Sequence, residues 1–195
     1  EKDGRFTKLA DKFEGKRFNS PNDLCIARDG SIYFTDPPYG LPKGAQPEIP
    51  FHGVYRLGVD GTVTALIRDI RFPNGIALSP DQKTLYIAVS DPGHPCIRAY
   101  DIDGGNGREL FDATPLKSTE RKGSCDGMKV DSLGNIWTTG PGGVLIISRE
   151  GRHLGTILTD QPTANCAFGD DGGMLYITSN MNLLRVKTKV KGAGS

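Results

Sequence analysis

The stretch PNDLCIARDGSIYFTD, residues 21–36, decides the fold. After Asn22 comes a short apolar run, LCIA, then Asp29-Gly30, then SIYFTD. In the last segment Ile32 and Phe34 alternate with Tyr33 and Thr35, the period of a strand whose two faces differ. Asp-Gly supplies the positive φ that a tight hairpin turn needs. The segment therefore reads as two antiparallel strands joined by a short turn.

The arrangement recurs. PNGIALSPDQKTLYIAVSD spans 73–91 and CDGMKVDSLGNIWTTG spans 125–140. The leading polar residues Asn22, Asn74 and Asp126 are spaced 52 residues apart. A fourth copy runs from CAFG (166–169) through Asp171-Gly172 to MLYITS (174–179), led by Asn165. Tyr33, Trp137 and Tyr176 lie 11 residues after their leading residue, and Tyr86 lies 12 after, which one extra turn residue accounts for. Two further strand-like segments follow each of the first three copies: GVYRL and TVTALI, CIRAYDI and GRELF, GVLIIS and HLGTIL. The fourth is followed by LLRVKTKV alone, and GRFTKLA at 4–10 reads as an outer strand of an earlier unit. Four antiparallel strands per unit of about 40 to 50 residues is the pattern of a β-propeller blade. The expectation is an all-β chain with one domain over 1–195. It would hold about three and a half to four blades, the C-terminal two-thirds of a six-bladed parent.

Composition narrows the function. The 26 Gly and 13 Pro sit singly between apolar runs, as turns do. A net charge of +1, dispersed along the chain, offers no basic stripe to nucleic acid. No apolar run approaches the roughly 20 residues of a membrane helix. Cys25, Cys96, Cys125 and Cys166 make no CxxC pair. They read as reduced, mostly buried thiols, and the spacings of a zinc site are absent. A cytoplasmic location is expected, with a periplasmic or secreted one compatible. His52, His94 and His153 are not clustered and read as ordinary, and GPGG (140–143) reads as a turn. There is no GxSxG, HExxH or GxxxxGK[ST].

Blade geometry gives the polar residues a place. The innermost strand of a blade descends from one face and the second strand climbs back to it. The residue before the first and the residue after the second therefore meet at one channel mouth. Asn22, Asn74, Asp126 and Asn165 fall there, beside Asp36 and under a 37–52 loop that carries Tyr39. Asn and Asp before a strand commonly cap loops by bonding the backbone. Three in register toward one axis also make a set of hard oxygen donors, suited to calcium, magnesium or manganese.

At these residues the sequence resembles the gluconolactonase / regucalcin (senescence marker protein) family. NSPNDL, DGSIYFTDPPYG, PNGIALSPD, CDGMKVDSLGNIW and TANCAFG carry the likeness, from about Gly4 to the C-terminal KVKG. The resemblance implies a six-bladed propeller with one divalent metal in its channel, calcium first and zinc, magnesium or manganese as alternatives. It implies Asn74 and Asp126 as metal ligands, Asp126 also as a candidate general base, and Asn22 at the metal, a metal-bound water or substrate. The family's remaining ligand is a glutamate near the N-terminus, and neither Glu1 nor Glu14 stands in a matching context. The implied reaction is metal-assisted hydrolysis of a small-molecule lactone, with Asn22, Asp36, Tyr39 and Asn165 toward substrate. Two other readings stay open: a propeller that binds a partner without catalysis, and an organophosphate or aryl ester hydrolase using the same metal.

Overall fold

The inner hairpins of the first and third repeats turn on left-handed glycines: Gly30, in Asp29-Gly30, has φ 86° and Gly134, after Leu133, has φ 87°. The chain is seen in a computed structural model that describes residues 4–194. Residues 5–11 form no strand, which corrects the outer-strand reading of GRFTKLA: its backbone does not run in the extended, ladder-paired form that the apolar alternation suggested. A small hairpin of β1 (Lys12–Phe13) and β2 (Lys16–Arg17) follows it.

Four sheets follow in chain order. The first holds β3 (Leu24–Ile26), β4 (Ile32–Asp36), β5 (Gly53–Leu57) and β6 (Val63–Ile67). The second holds β7 (Pro73–Leu78), β8 (Thr84–Val89), β9 (Cys96–Asp101) and β10 (Arg108–Asp112). The third holds β11 (Met128–Val130), β12 (Ile136–Gly140), β13 (Gly143–Ile147) and β14 (His153–Leu158). The fourth has three strands, β15 (Thr163–Gly169), β16 (Met174–Ser179) and β17 (Asn182–Lys187). Every sheet is an antiparallel meander in sequence order. The sheets stand as successive propeller blades, with β3, β7, β11 and β15 lining a channel of about 460 Å³.

Period-two alternation decides which neighbour each side chain meets. Leu85 and Ile87 pack toward the first blade with Tyr33, Val54 and Ile67. Tyr86 and Ala88, between them in sequence, pack toward the third blade with Met128, Ile136 and Leu145. Trp137 and Val144 turn to the fourth blade with Leu175 and Ile177. Tyr33, Tyr86 and Trp137, at the repeat positions of the first three blades, are thus wedges between blades. The hairpin of the third blade is held by Asp131, fully buried, whose carboxylate accepts from Leu133 N, Asn135 N and Trp137 Nε1, each at 2.9 Å.

Candidate functional site

Strand register aligns the polar residues. Leu24 pairs with Phe34, Ile76 with Ile87, Met128 with Thr138 and Cys166 with Ile177. Counting back two residues puts Asn22, Asn74 and Asp126 at one equivalent position. In the fourth blade that position is Ala164, not Asn165. The fourth hairpin carries an extra turn residue, so counting back from Tyr176 misplaced the leading residue by one.

The glycines of PNG and CDG follow from how the blades join. Gly75 N–H donates to Asp126 O at 3.2 Å and Gly127 N–H to Ala164 O at 2.9 Å. A Cβ on Gly75 would lie 2.1 Å from Asp126 O, and one on Gly127 would lie 2.1 Å from Asn165 Oδ1. Each blade's polar residue is therefore clamped against the backbone of the next, and glycine is the residue that permits the approach.

This clamping builds the candidate metal centre. Asn74 is 6% exposed, and its Nδ2 donates to Ser90 Oγ at 2.9 Å. Its Oδ1 is buried and has no hydrogen-bond partner. Ser90 Oγ in turn donates to Cys125 O. The carboxylate of Asp126 stands next to the Asn74 amide, and burial, then the charge of Asp23, lifts its pKa to about 6. Asn22 shares the register, is exposed, and donates its N–H to Thr35 O at 2.9 Å. A buried acceptor without a donor, beside two carboxylates that repel, fits a hard cation and fits a vacant protein pocket poorly.

Tyr39 does reach this place. Its hydroxyl donates to Phe72 O at 3.0 Å and its ring stacks on Phe72 at 6.4 Å. Burial raises the Tyr39 pKa, Ser90 and Asn74 draw it back, and the charge of Asp126 raises it further. Phe72 holds φ 48°, a strained conformation for a bulky residue. It is pinned by Tyr39, by Ser90 N–H donating to its carbonyl at 3.0 Å, and by His52 Nδ1 accepting its N–H at 3.3 Å. That strain lies two residues before Asn74, whose carboxamide is held by Ser90 Oγ.

Asp36 and Asn165 are placed differently. Asp36 is fully buried; its two oxygens accept Asn19 N at 2.8 Å and Ser20 N at 2.7 Å. It clamps the 19–20 loop. Asn165 Oδ1 caps Cys166 N at 2.8 Å, the local bond such a residue often makes. Asp23 was passed over in the sequence because Asn22 held the repeat position. Its carboxylate accepts Leu24 N at 2.9 Å and Ile76 N at 3.4 Å, bridging two blades beside Asp126.

Comparison with known proteins gives the chain a family. The family described as SMP-30/Gluconolactonase/LRE-like region matches residues 1–181. A gluconolactonase of Zymomonas mobilis is 40% identical over 196 residues, 94% of this chain and 54% of that protein. Pentonolactonase XacC of Haloferax volcanii is 32% identical over 132 residues, 65% of this chain and 44% of that one. A solved gluconolactonase structure from Xanthomonas campestris superposes with TM-score 0.84 at 36% identity, over 98% of this chain and 63% of that one. The chain spans about half the length of the curated relatives it matches. It belongs to the SMP-30/gluconolactonase family.

Proposed function

We propose that this chain carries the mouth of a divalent-metal lactonase, acting on a sugar lactone of the gluconolactone type. Calcium is the first candidate metal, with zinc, magnesium or manganese as alternatives. Asn74 Oδ1 and the Asp126 carboxylate would hold it, with Asn22 toward metal or substrate. The observation that carries the reading is the buried, partnerless Asn74 Oδ1 beside two carboxylates. The gluconolactonase and pentonolactonase names of the relatives support the reaction class.

The cation, when bound, supplies positive charge that polarises the ring-ester carbonyl. The chain's own residues do the rest. Asn74 and Asp126 orient the site, and the Gly75 and Gly127 clamps keep them there. A carboxylate that ligates a cation loses basicity, so the proton of the incoming water needs an acceptor other than bound Asp126; Asp23 stands beside it, each of its oxygens also accepting one main-chain amide. Tyr39 roofs the mouth and offers a hydroxyl to the sugar, and the Nδ2 of Asn165 remains to donate. Four free cysteines accord with a reducing compartment such as the cytoplasm.

Asp126→Ala in the full-length protein is expected to abolish both calcium binding, read by calorimetry, and lactone hydrolysis, read by acid release. Retention of both overturns the assignment.

A further inference from the structure

A second donor cluster lies on the two outer strands of the second blade. One ligand atom each from His94, Cys96 and Glu109 lie within 4.8 Å of one another. It is the one such His/Cys/Asp/Glu group among the described residues.

Sheet register assembles it. Cys96 pairs with Asp112 across β9 and β10, and Ile97 with Phe111. A bulge then skips Leu110, so Glu109 comes opposite Arg98. Arg98 shares its face of the strand with Cys96, so the bulge delivers a carboxylate to that face where regular pairing would deliver Leu110. His94, in the loop before β9, comes over the same spot.

The imidazole is oriented on both sides. His94 Nε2 lies 2.6 Å from Glu109 Oε2. Its Nδ1 lies 3.2 Å from Thr114 Oγ1 and 3.6 Å from Asp112 Oδ1. The Thr114 hydroxyl on the second ring nitrogen, with the Asp112 carboxylate behind it, is the kind of outer-shell support that orients a ligating histidine. Cys96 is 2% exposed and packs in the apolar cluster between the first and second blades, with its Sγ within 4.8 Å of the ligand atoms of His94 and Glu109. An exposed His–Glu ion pair does not by itself account for a thiol within reach of both partners. Arg98, its guanidinium over the Tyr100 ring, is a cation beside the thiol, Glu109 and Asp112 are acids beside it, and Asp91 acts with those two acids on His94.

We propose that His94 Nε2, Cys96 Sγ and a Glu109 carboxylate oxygen form a zinc site, separate from the channel mouth. The donors decide the metal: imidazole and thiolate with one carboxylate suit zinc and not calcium. Tetrahedral zinc with bonds of about 2.0 to 2.3 Å sets its ligands roughly 3.3 to 3.8 Å apart. Glu109 need only open from its hydrogen bond to His94, and the thiol close in. Three protein ligands leave the fourth position to water. On binding, the Cys96 proton and the proton shared by His94 and Glu109 leave to solvent, and no electron moves.

Cobalt(II) is the probe, added to the full chain after chelator treatment. With calcium in excess to fill the mouth, the expected result is one equivalent of cobalt bound, with a sulfur-to-cobalt charge-transfer band and tetrahedral d–d bands. Zinc displaces it and excess calcium does not. Cys96→Ser loses the charge-transfer band, Asp126→Ala keeps it, and Asp112→Asn weakens binding about tenfold or more. His94→Gln, at a half-exposed position that leaves the fold intact, loses zinc affinity as well. Absence of the sulfur band in the wild type, its survival in Cys96→Ser, or unchanged affinity in His94→Gln overturns the proposal. Loss of lactonase activity in Asp126→Ala with cobalt binding intact separates this site from the one at the mouth.

Discussion

The channel mouth and the rim of the second blade hold donor sets that differ in chemistry and in how they are held. The mouth offers oxygen alone, from Asn74 and Asp126 with Asp23 beside them, on residues clamped backbone to backbone between blades. The rim offers nitrogen, sulfur and oxygen from one blade, on side chains about half exposed except for Cys96. The mouth is therefore a product of blade assembly, while the rim is local to one strand pair. Changes at the mouth should disturb folding and metal binding together, whereas changes at the rim should leave folding alone.

The largest expected effect tests the clamp. Gly75→Ala sets a Cβ 2.1 Å from a backbone carbonyl that cannot rotate away. Overpacking of that kind should cost about 3 kcal/mol and remove calcium binding with it. Denaturant titration and calorimetry on the same variant check both. If affinity falls while stability holds, mouth and fold are less coupled than the backbone bonds between blades imply.

Asp126→Asn should act in the opposite direction on stability. The folded carboxyl has its pKa lifted from 3.8 to about 6, by burial first and the Asp23 charge second. A raised acid favours the folded state below about pH 4 and loses that contribution as the pH rises through 6. Asparagine removes the loss. The metal-free variant should therefore gain about 1 kcal/mol at pH 7, after allowing for the solvent that screens the site. The gain should vanish below pH 4. Thermal melts in chelator at the two pH values test this; a variant less stable than wild type at pH 7 would show that the two carboxylates do not strain each other.

The smallest expected effect is at the rim. His94 pairs with Glu109 at the surface, where ion pairs contribute little. His94→Gln in chelator should leave the unfolding midpoint where it is. A large drop would make the cluster part of the fold and not an independent site.

Much of this was legible in the residues. The period-two alternation around Tyr33 and Tyr86, with turns at Asp29-Gly30 and around Pro80-Asp81, implied the hairpins, and the hairpins imply blades. Asn74 and Asp126 could be singled out because one repeat position kept its polar residue. Less legible was the exact register, where an extra turn residue in the fourth hairpin moved Asn165 off the axis. Asp36 looked free in the sequence, yet two main-chain amides take up its carboxylate. His94, Cys96 and Glu109 could not be found from spacing, since a bulge and not a fixed interval brings Glu109 to the thiol.

What the sequence determined by itself is local: strand period, turn chemistry and the repeat that follows from them. These depend on neighbours along the chain, so they can be read from it. Which oxygen stays without a partner, which carboxylate is consumed by a loop, and which thiol meets an imidazole depend on contacts across blades and across a bulged strand pair. Only the tertiary structure decided those, because they are set by register and approach distances of an ångström or less.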